Sequence, residues 1–174
     1  MKTSTLWYNQ KLTIDENYTR KVIMIIELRN IEQTELFGRK LGRLLQKGDV
    51  VCLNGDLGAG KTTLSKAIGA GMDVEDYITS PTFAIMNQYK GRLPLYHFDV
   101  YRLDGWHQLE DIGAEDYFYG DGVCLIEWAE TIEEYLPKER LEISMTFGVL
   151  DGSRILELKA FGDRFGILME ELKI

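Results

Sequence analysis

Cysteine, proline and long apolar runs are scarce in this sequence of 174 residues. Two cysteines are too few for a disulfide framework, and each lies in an apolar run, so Cys52 and Cys124 are expected to be buried free thiols. No stretch approaches the roughly 18 apolar residues that a membrane span requires. The segment 1–21 is polar and unlike a signal peptide. The sequence therefore predicts a cytoplasmic protein with no membrane contact.

Basic side chains are also in deficit, since 20 Lys and Arg stand against 28 Asp and Glu and leave a formal charge of −8. An acidic surface repels a phosphate backbone, which disfavours autonomous binding to RNA or DNA. Hydrophobic residues make up 45% of the chain, which is typical of a globular domain with its own core. Any nucleic acid is therefore expected to be held by a partner protein.

The chain divides into a short segment without periodicity and one folded domain. Residues 1–21 show neither helical nor strand periodicity and are predicted to be a flexible N-terminal extension. Residues 22–174 alternate between strand-like and helix-like patterns without repeats or a linker. This pattern predicts a single α/β domain with a mixed, partly antiparallel central sheet flanked by helices.

Local signals place the main elements. Asn30 and Gln33 form a capping-box pattern at the start of a helix that closes at Gly48. A helical stretch is predicted over 106–117 and another over 163–174. Strands are predicted from Met24 and over 49–54, 83–89, 93–99, 122–127, 141–147 and 154–160, with hairpins at 90–92 and at Asp151-Gly152.

A phosphate-binding loop is the strongest motif. Gly55-Asp56-Leu57-Gly58-Ala59-Gly60-Lys61-Thr62 matches G-x-x-x-x-G-K-[ST] between a predicted strand and a predicted helix. Glycines let successive N–H groups converge on phosphate oxygens, and the start of the helix favours the same anion. Lys61 supplies a positive charge for the β- and γ-phosphates, and the Thr62 hydroxyl suits Mg²⁺. The motif predicts a P-loop NTPase that binds ATP with Mg²⁺.

Two acidic residues end apolar strands. Asp99 follows Leu95-Tyr96-His97-Phe98, and Glu127 follows Val123-Cys124-Leu125-Ile126. Ligands of an open α/β sheet gather beyond the carboxyl ends of its strands, so both acids are candidates for the phosphate site. From pattern alone, one would anchor the metal and the other would orient the attacking water, although each could instead be a surface strand end or a helix cap.

Weaker signals surround these acids. His97 is more typical of a structural histidine and His107 of an exposed helix. Arg102 could neutralise charge in the transition state or form a surface ion pair, and Trp128 could be a core residue or a partner contact. The Asn/Thr-Lys-x-Asp element that selects guanine is missing, so adenine is the default base.

Four motifs in order give the chain a family resemblance. They are Gly-Asp-Leu-Gly-Ala-Gly-Lys-Thr-Thr at 55–63, Thr-Ser-Pro-Thr-Phe at 79–83, His-Phe-Asp-Val-Tyr-Arg-Leu at 97–103 and Ile-Glu-Trp-Ala-Glu at 126–130. With these, the chain resembles the bacterial tRNA threonylcarbamoyladenosine biosynthesis ATPase family (TsaE) from about Met24 to Ala160. The first 23 residues and about the last dozen have no clear counterpart, and Ala129 stands where many relatives carry proline.

The resemblance implies a weak, partner-stimulated ATPase. It would support the protein pair that transfers a threonylcarbamoyl group to the adenosine beside the anticodon of ANN-reading tRNAs, and it would meet tRNA only through that complex. The resemblance assigns Asp56, Leu57, Gly58, Ala59, Gly60, Lys61, Thr62 and Thr63 to the triphosphate, Thr62 and Glu127 to Mg²⁺, and Asp99 to hydrolysis. It places 79–82 as a switch-like loop and Ile31 to Thr34 near the adenine.

Two other functions are compatible with the same loop. A small-molecule kinase would use it to transfer phosphate to an acceptor, although no arginine between the loop and Arg92 is available to a lid. A nucleotide-gated binding module would use it with negligible turnover. The fate of the γ-phosphate distinguishes the ATPase from the kinase, and a non-hydrolysable ATP analogue distinguishes it from the binding module.

Overall fold

The computed structural model of the chain describes residues 8–14, 20–81, 84–103 and 106–172. The strands are β1 (Tyr8–Ile14), β2 (Arg20–Leu28), β3 (Val50–Asn54), β4 (Met86–Lys90), β5 (Pro94–Asp99), β6 (Val123–Glu127), β7 (Arg140–Phe147) and β8 (Arg154–Phe161). The helices are α1 (Ile31–Leu44), α2 (Lys61–Gly71), α3 (His107–Asp111), α4 (Ala114–Phe118) and α5 (Asp163–Leu172), and a 3-10 helix spans Ala129–Tyr135.

These strands form one mixed sheet in the order β1-β2-β8-β7-β3-β6-β5-β4. The centre is parallel, because β3 runs parallel to both β7 and β6, and β6 runs parallel to β5. Both flanks are antiparallel. The mixed, partly antiparallel sheet flanked by helices is therefore confirmed. Because β3, β5 and β6 run in the same direction, their carboxyl ends lie on the same side of the sheet.

Helices cover both faces of the sheet. Strand β3 is buried on both sides, since Val51 and Leu53 contact one hydrophobic cluster while Val50 and Cys52 contact the other. The first cluster holds α1, α2 and α5, and the second holds α3, α4 and the 3-10 helix. A strand buried on both faces needs a continuous apolar run, which is the pattern that precedes the phosphate loop.

Both cysteines are buried free thiols, as the sequence predicted. They lie in adjacent strands of the parallel centre, Cys52 in β3 and Cys124 in β6. Burial raises the pKa of both thiols, to about 12 for Cys124, because the thiolate would lose its hydration. No helix in the described part of the chain is long and apolar enough to cross a membrane.

The capping box at the start of α1 is present in a modified form. The Asn30 side chain accepts from the N–H of Gln33 at 3.0 Å, and the Gln33 side chain accepts from the N–H of Arg29 at 2.8 Å. The helix ends at Leu44, before the predicted stop at Gly48. Arg92 donates to the carbonyls of Gly42, Arg43 and Leu45 and so stabilises this earlier end.

Two predictions are corrected by the structure. Residues 1–21 lack strand periodicity and were predicted to be a flexible N-terminal extension, but Tyr8–Ile14 pairs with β2 over seven residues and adds β1 to the sheet edge. Pairing at an edge uses backbone groups, so it does not require an apolar periodicity in the added strand. The helix predicted over 106–117 is two short helices, because Gly113 adopts φ +65° between them. The domain boundary near residue 22 stays a prediction, and residues 1–7 and 15–19 lie outside the described residues.

Candidate functional site

The glycine-rich loop connects the end of β3 to the start of α2. Gly55 has φ +131° and Gly60 has φ +108°, conformations that side chains rarely adopt. A Cβ at Gly55 would also overlap the backbone carbonyl of Met145 on β7. Gly60 is the N-cap of α2 and provides no side-chain cap, so the N–H groups of the first helical turn remain available to an anion.

A cavity of about 710 Å³ opens beside this loop. Its walls come from the loop, from the carboxyl ends of β5 and β6, and from the segments that follow them. The lining residues are Leu57, Gly58, Gly60, Lys61, Thr62, Thr63, Ser80, Pro81, Ala84, Ile85, Asp99, Tyr101, Arg102, Leu103, Gln108, Glu127 and Trp128. The structure thus brings the loop and both candidate acids into one cavity, although they are far apart in the sequence.

Lys61 is buried and points back onto its own loop. Its Nζ donates to the carbonyl oxygens of Asp56, at 3.0 Å, and Gly55, and lies 3.5 Å from the ring centroid of Trp128. Burial lowers the pKa of Lys61, and the nearby carboxylate of Glu127 opposes that effect. The ammonium group therefore lies at the loop, held by contacts that a phosphate could replace.

Glu127 is the most constrained acid of the site, with 2% of its surface exposed. Its Oε2 accepts from the Thr62 hydroxyl at 3.0 Å, and its Oε1 accepts from the Ser65 hydroxyl at 2.7 Å and from His97 Nε2 at 2.9 Å. Burial acts to raise the pKa of Glu127, but the hydrogen bonds and the charge of His97 outweigh burial and lower it. Glu127 is therefore held as a carboxylate beside Thr62.

His97 supports this arrangement from inside the sheet. It is fully buried in β5, and its Nε2 donates to Glu127 because a carboxylate can only accept. Its Nδ1 has no hydrogen-bond partner among the residues that the structure describes. The interpretation of His97 as a structural histidine is consistent with this position, and its one polar contact is with a residue of the site.

Asp99 lies next to Glu127 in the sheet, because the two residues are register partners on β5 and β6. It is partly exposed, unlike Glu127. Its Oδ1 accepts from the N–H of Tyr101 at 3.2 Å, and its Oδ2 accepts from the hydroxyl of Ser80. The segment that precedes β4 therefore contacts this acid directly. Thr82, which was predicted to complete the switch-like loop, lies outside the described residues.

Trp128 follows Glu127 in a left-handed conformation, with φ +64°. Its N–H donates to the carbonyl of Leu53 at 2.9 Å, which ties the turn to β3. One ring contact is with the Lys61 ammonium, and the ring centroid of Tyr101 lies 4.5 Å away. A strained backbone held by specific contacts is characteristic of functional sites. Trp128 lines the cavity and also packs against the second hydrophobic cluster, and its expected role as a partner contact stays a prediction.

Four predicted site residues do not line the cavity. Ile31 is exposed, Thr34 is buried with its hydroxyl on the carbonyl of Asn30, and Asp56 and Ala59 belong to the loop but not to the lining. His107 is exposed on α3 and pairs with Glu110, as expected of a surface histidine. Arg102 does line the cavity.

The motifs did not identify Ser65 or Arg154. Ser65 lies one helical turn after Lys61, and the helical spacing could have placed its hydroxyl on the same side of α2 as Thr62. Arg154 contacts the loop from β8, more than ninety residues later, and no local pattern indicates that contact.

The oxygen atoms of Thr62 and Glu127 are the candidate ligands for Mg²⁺ in this site. Among the described residues, no group of three or more His, Cys, Asp and Glu side chains could hold a metal by itself. Mg²⁺ does not require one, because it uses one or two protein oxygens together with phosphates and water. The adjacent oxygens of Thr62 and Glu127 fit that requirement.

Comparisons with known proteins agree with this geometry. The family model described as "Threonylcarbamoyl adenosine biosynthesis protein TsaE" matches residues 28–154. A protein of Bacillus subtilis named tRNA threonylcarbamoyladenosine biosynthesis protein TsaE is 45% identical over 144 residues, which are 82% of this chain and 89% of that protein. A protein of the same name from Treponema pallidum is 45% identical over 126 residues, covering 72% of this chain and 93% of that protein.

A solved structure also has the same fold. The crystal structure of YdiB from Bacillus subtilis superposes with a TM-score of 0.73 at 39% sequence identity. The match covers 90% of this chain and 97% of that chain. The similarity therefore extends beyond the phosphate loop to almost the whole of the solved protein.

Proposed function

Because the chain belongs to the family of the threonylcarbamoyl adenosine biosynthesis protein TsaE, we propose that it is a Mg²⁺-dependent ATPase that supports threonylcarbamoylation of the adenosine next to the anticodon in tRNAs. It acts in the cytoplasm as an accessory subunit of the threonylcarbamoyl transferase protein pair. Its intrinsic hydrolysis is weak, and its partners stimulate it.

The single observation that carries this proposal is the network around Glu127. A buried carboxylate receives three hydrogen bonds, one of them from the threonine that follows the phosphate-loop lysine. Keeping a buried acid ionised costs free energy unless the carboxylate is hydrogen-bonded, paired with a cation or bound to a metal. An oxygen pair at Thr62 and Glu127, beside the N-terminus of α2, is what an ATP-dependent site with Mg²⁺ requires.

Each residue then has a distinct role. Lys61 and the N–H groups at the start of α2 bind the phosphates, while Thr62 and Glu127 would hold Mg²⁺, which neutralises charge on the β- and γ-phosphates. Asp99 accepts a hydrogen bond from the attacking water and so orients it. His97 and Ser65 hold Oε1 of Glu127 and leave Oε2 on the side of Thr62.

The adenine is proposed to bind outside the phosphate loop, at the start of α1. Ile31 and Thr34 are proposed to lie near the base, at the start of α1, where Ile31 presents an exposed apolar surface. Asp56 and Ala59 contribute backbone groups of the phosphate loop rather than side chains.

The test is titration of ATP with and without Mg²⁺ against the wild-type chain and Lys61→Ala. We expect the variant to bind ATP about ten- to a hundredfold more weakly, because a charge-assisted contact contributes roughly 1.5–3 kcal/mol. Lys66→Ala is the matched control. Lys66 lies on the same helix as Lys61, its exposed contact is with Tyr77, and the variant should bind ATP as tightly as the wild type. Equal ATP affinity in folded Lys61→Ala would refute the phosphate-loop assignment.

The kinase alternative is tested by following the γ-phosphate. Arg102 and Gln108 line the cavity together with the phosphate loop, so it offers polar groups that a kinase could use to bind an acceptor. ATP labelled at the γ-position should release label as free phosphate if the chain is a hydrolase. Label on a small molecule or a protein would favour the kinase.

A further inference from the structure

Arg154 binds the phosphate loop from the start of β8 and is not among the residues that line the cavity. Its Nε donates to the carbonyl of Ala59 at 2.6 Å, and its Nη2 donates to the carbonyl of Gly58 at 3.3 Å. Its Nη1 donates to the carbonyl of Ser153 at 2.8 Å, which fixes the guanidinium to β8. One side chain thus connects two successive carbonyls of the loop to the sheet.

These contacts determine the direction of a peptide group that faces the cavity. In a trans peptide, C=O and N–H point in opposite directions, so holding the Ala59 carbonyl toward Arg154 turns the N–H of Gly60 away from Arg154. Gly60 lines the cavity and is the N-cap of α2. The N–H groups at that position are the ones that an anion at a helix start requires.

Neighbouring side chains also pack around the Arg154 guanidinium and the backbone of Gly60. The Arg154 guanidinium lies over the ring of Phe147 at 4.7 Å, which restricts its rotation. A Cβ at Gly60 would lie 3.7 Å from Arg154 Nε and 3.5 Å from Met145 Cε, so the backbone of Gly60 is in direct reach of both side chains. The planar guanidinium of arginine presents several N–H donors in a fixed geometry and can bind two carbonyls at once. The single ammonium group of lysine has no such fixed geometry and would orient the two carbonyls less well.

We propose that Arg154 is a positioning residue that orients the Ala59–Gly60 peptide toward the phosphates of the bound nucleotide. This inference rests on the proposed ATP-binding function. Arg154 touches no reacting atom and acts through the backbone, while its positive charge behind the loop adds to the attraction for an anion.

Nucleotide titration of Arg154→Ala and Arg154→Lys tests the proposal. Arg154→Ala should bind ATP about tenfold more weakly, which is the lower end of what a charge-assisted hydrogen bond contributes. Arg154→Lys keeps the charge and should recover only part of that loss. Arg92→Ala is the matched control, because Arg92 also binds backbone carbonyls but at the end of α1, and it should lower stability without changing ATP affinity.

A spectroscopic measurement separates orientation from general stability. In protein with isotope-labelled glycine, pyrophosphate should shift the Gly60 amide signal strongly in the wild type and in Arg92→Ala, and weakly in Arg154→Ala. Wild-type ATP affinity in Arg154→Ala, or full recovery by Arg154→Lys, would overturn the inference. If Arg154→Ala does not fold, Arg154→Lys carries the test alone. A wild-type chain that does not bind ATP would refute the proposed function itself.

Discussion

At the residue scale, Glu127 and Asp99 occupy neighbouring strand ends but have different surroundings. Glu127 is buried and holds the hydroxyls of Thr62 and Ser65, whereas Asp99 is partly exposed and holds Ser80. A buried carboxylate with fixed oxygens suits a metal ligand, and an accessible one suits contact with water. The two acids should therefore give different defects when they are neutralised.

We predict that Glu127→Gln lowers Mg²⁺ affinity by at least about tenfold, because even the hydrogen-bond partners of metal ligands contribute that much. ATP without metal should still bind. Asp99→Asn should leave Mg²⁺ affinity nearly intact and reduce turnover about a hundredfold or more. Magnesium titrations and single-turnover phosphate release measure the two effects, with Glu134→Gln, an exposed acid, as the control. The reverse pattern would exchange the two roles, and no change in either would make both acids structural.

The residues of the site differed in how far the sequence could predict them. The phosphate loop and the two acids could be predicted from local patterns. The loop motif lies between a strand and a helix, and acids at the carboxyl ends of strands lie where open α/β sheets bind their ligands. Ser65 and Arg154 depend on contacts between separate elements. The position of Arg154 follows from the strand order, in which β8 lies beside β7 and β7 beside β3, and the contact of Ser65 with Glu127 follows from β6 lying beside β3.

At the element scale, α1 and α2 pack with their backbones close together at Gly42. A Cβ at Gly42 would overlap the carbonyl oxygen of Ile68 and would lie 3.0 Å from the Cα of Gly71. These contacts are with backbone atoms, which cannot rotate away as a side chain can. Since α2 begins at the phosphate loop, the fit between the two helices also positions the site.

Gly42→Ala should therefore lower the free energy of unfolding by about 1–3 kcal/mol, the usual cost of overpacking a well-packed interior. Gly166→Ala on α5 is the matched control, because a Cβ there would meet nothing within 4 Å. It should raise stability by about 0.5–1 kcal/mol through helix propensity. Urea unfolding measures both variants, and a Gly42→Ala as stable as the wild type would mean that the helices are not in backbone contact.

Most of the elements could be predicted, and two features, strand β1 and the break between α3 and α4, could not, for different reasons. Strands β3 and β6 at the centre of the sheet are marked by apolar runs, because they are buried on both faces. Strand β1 has no such mark, since Tyr-Asn-Gln-Lys-Leu-Thr-Ile pairs with β2 through its backbone at the sheet edge. The break between α3 and α4 depends on one glycine with positive φ, which a periodicity count over the whole stretch does not detect.

At the scale of the whole molecule, the cavity is suited to phosphate chemistry while the surface is not suited to RNA. The formal charge is −8, and among the described residues only two cations, Lys61 and Arg102, line the cavity. Binding to a polyanion depends on neutralising several phosphates together. The isolated chain should therefore not retain tRNA at physiological salt.

The last prediction concerns what hydrolysis does in the assembly. Ser80 donates a hydrogen bond to Asp99, so the segment proposed to contact the γ-phosphate and the acid proposed to orient water are already connected. Nucleotide can then change the loop, and a partner that binds the loop can change turnover, because coupling between two sites is reciprocal. We expect association with the purified threonylcarbamoyl transferase pair to require ATP, and the pair to raise phosphate release several-fold. Co-sedimentation with ATP, ADP or no nucleotide, and phosphate release with and without the pair, measure these effects. Tight tRNA binding by the chain alone, or ATP-independent association with unchanged turnover, would contradict a role as an ATP-driven subunit.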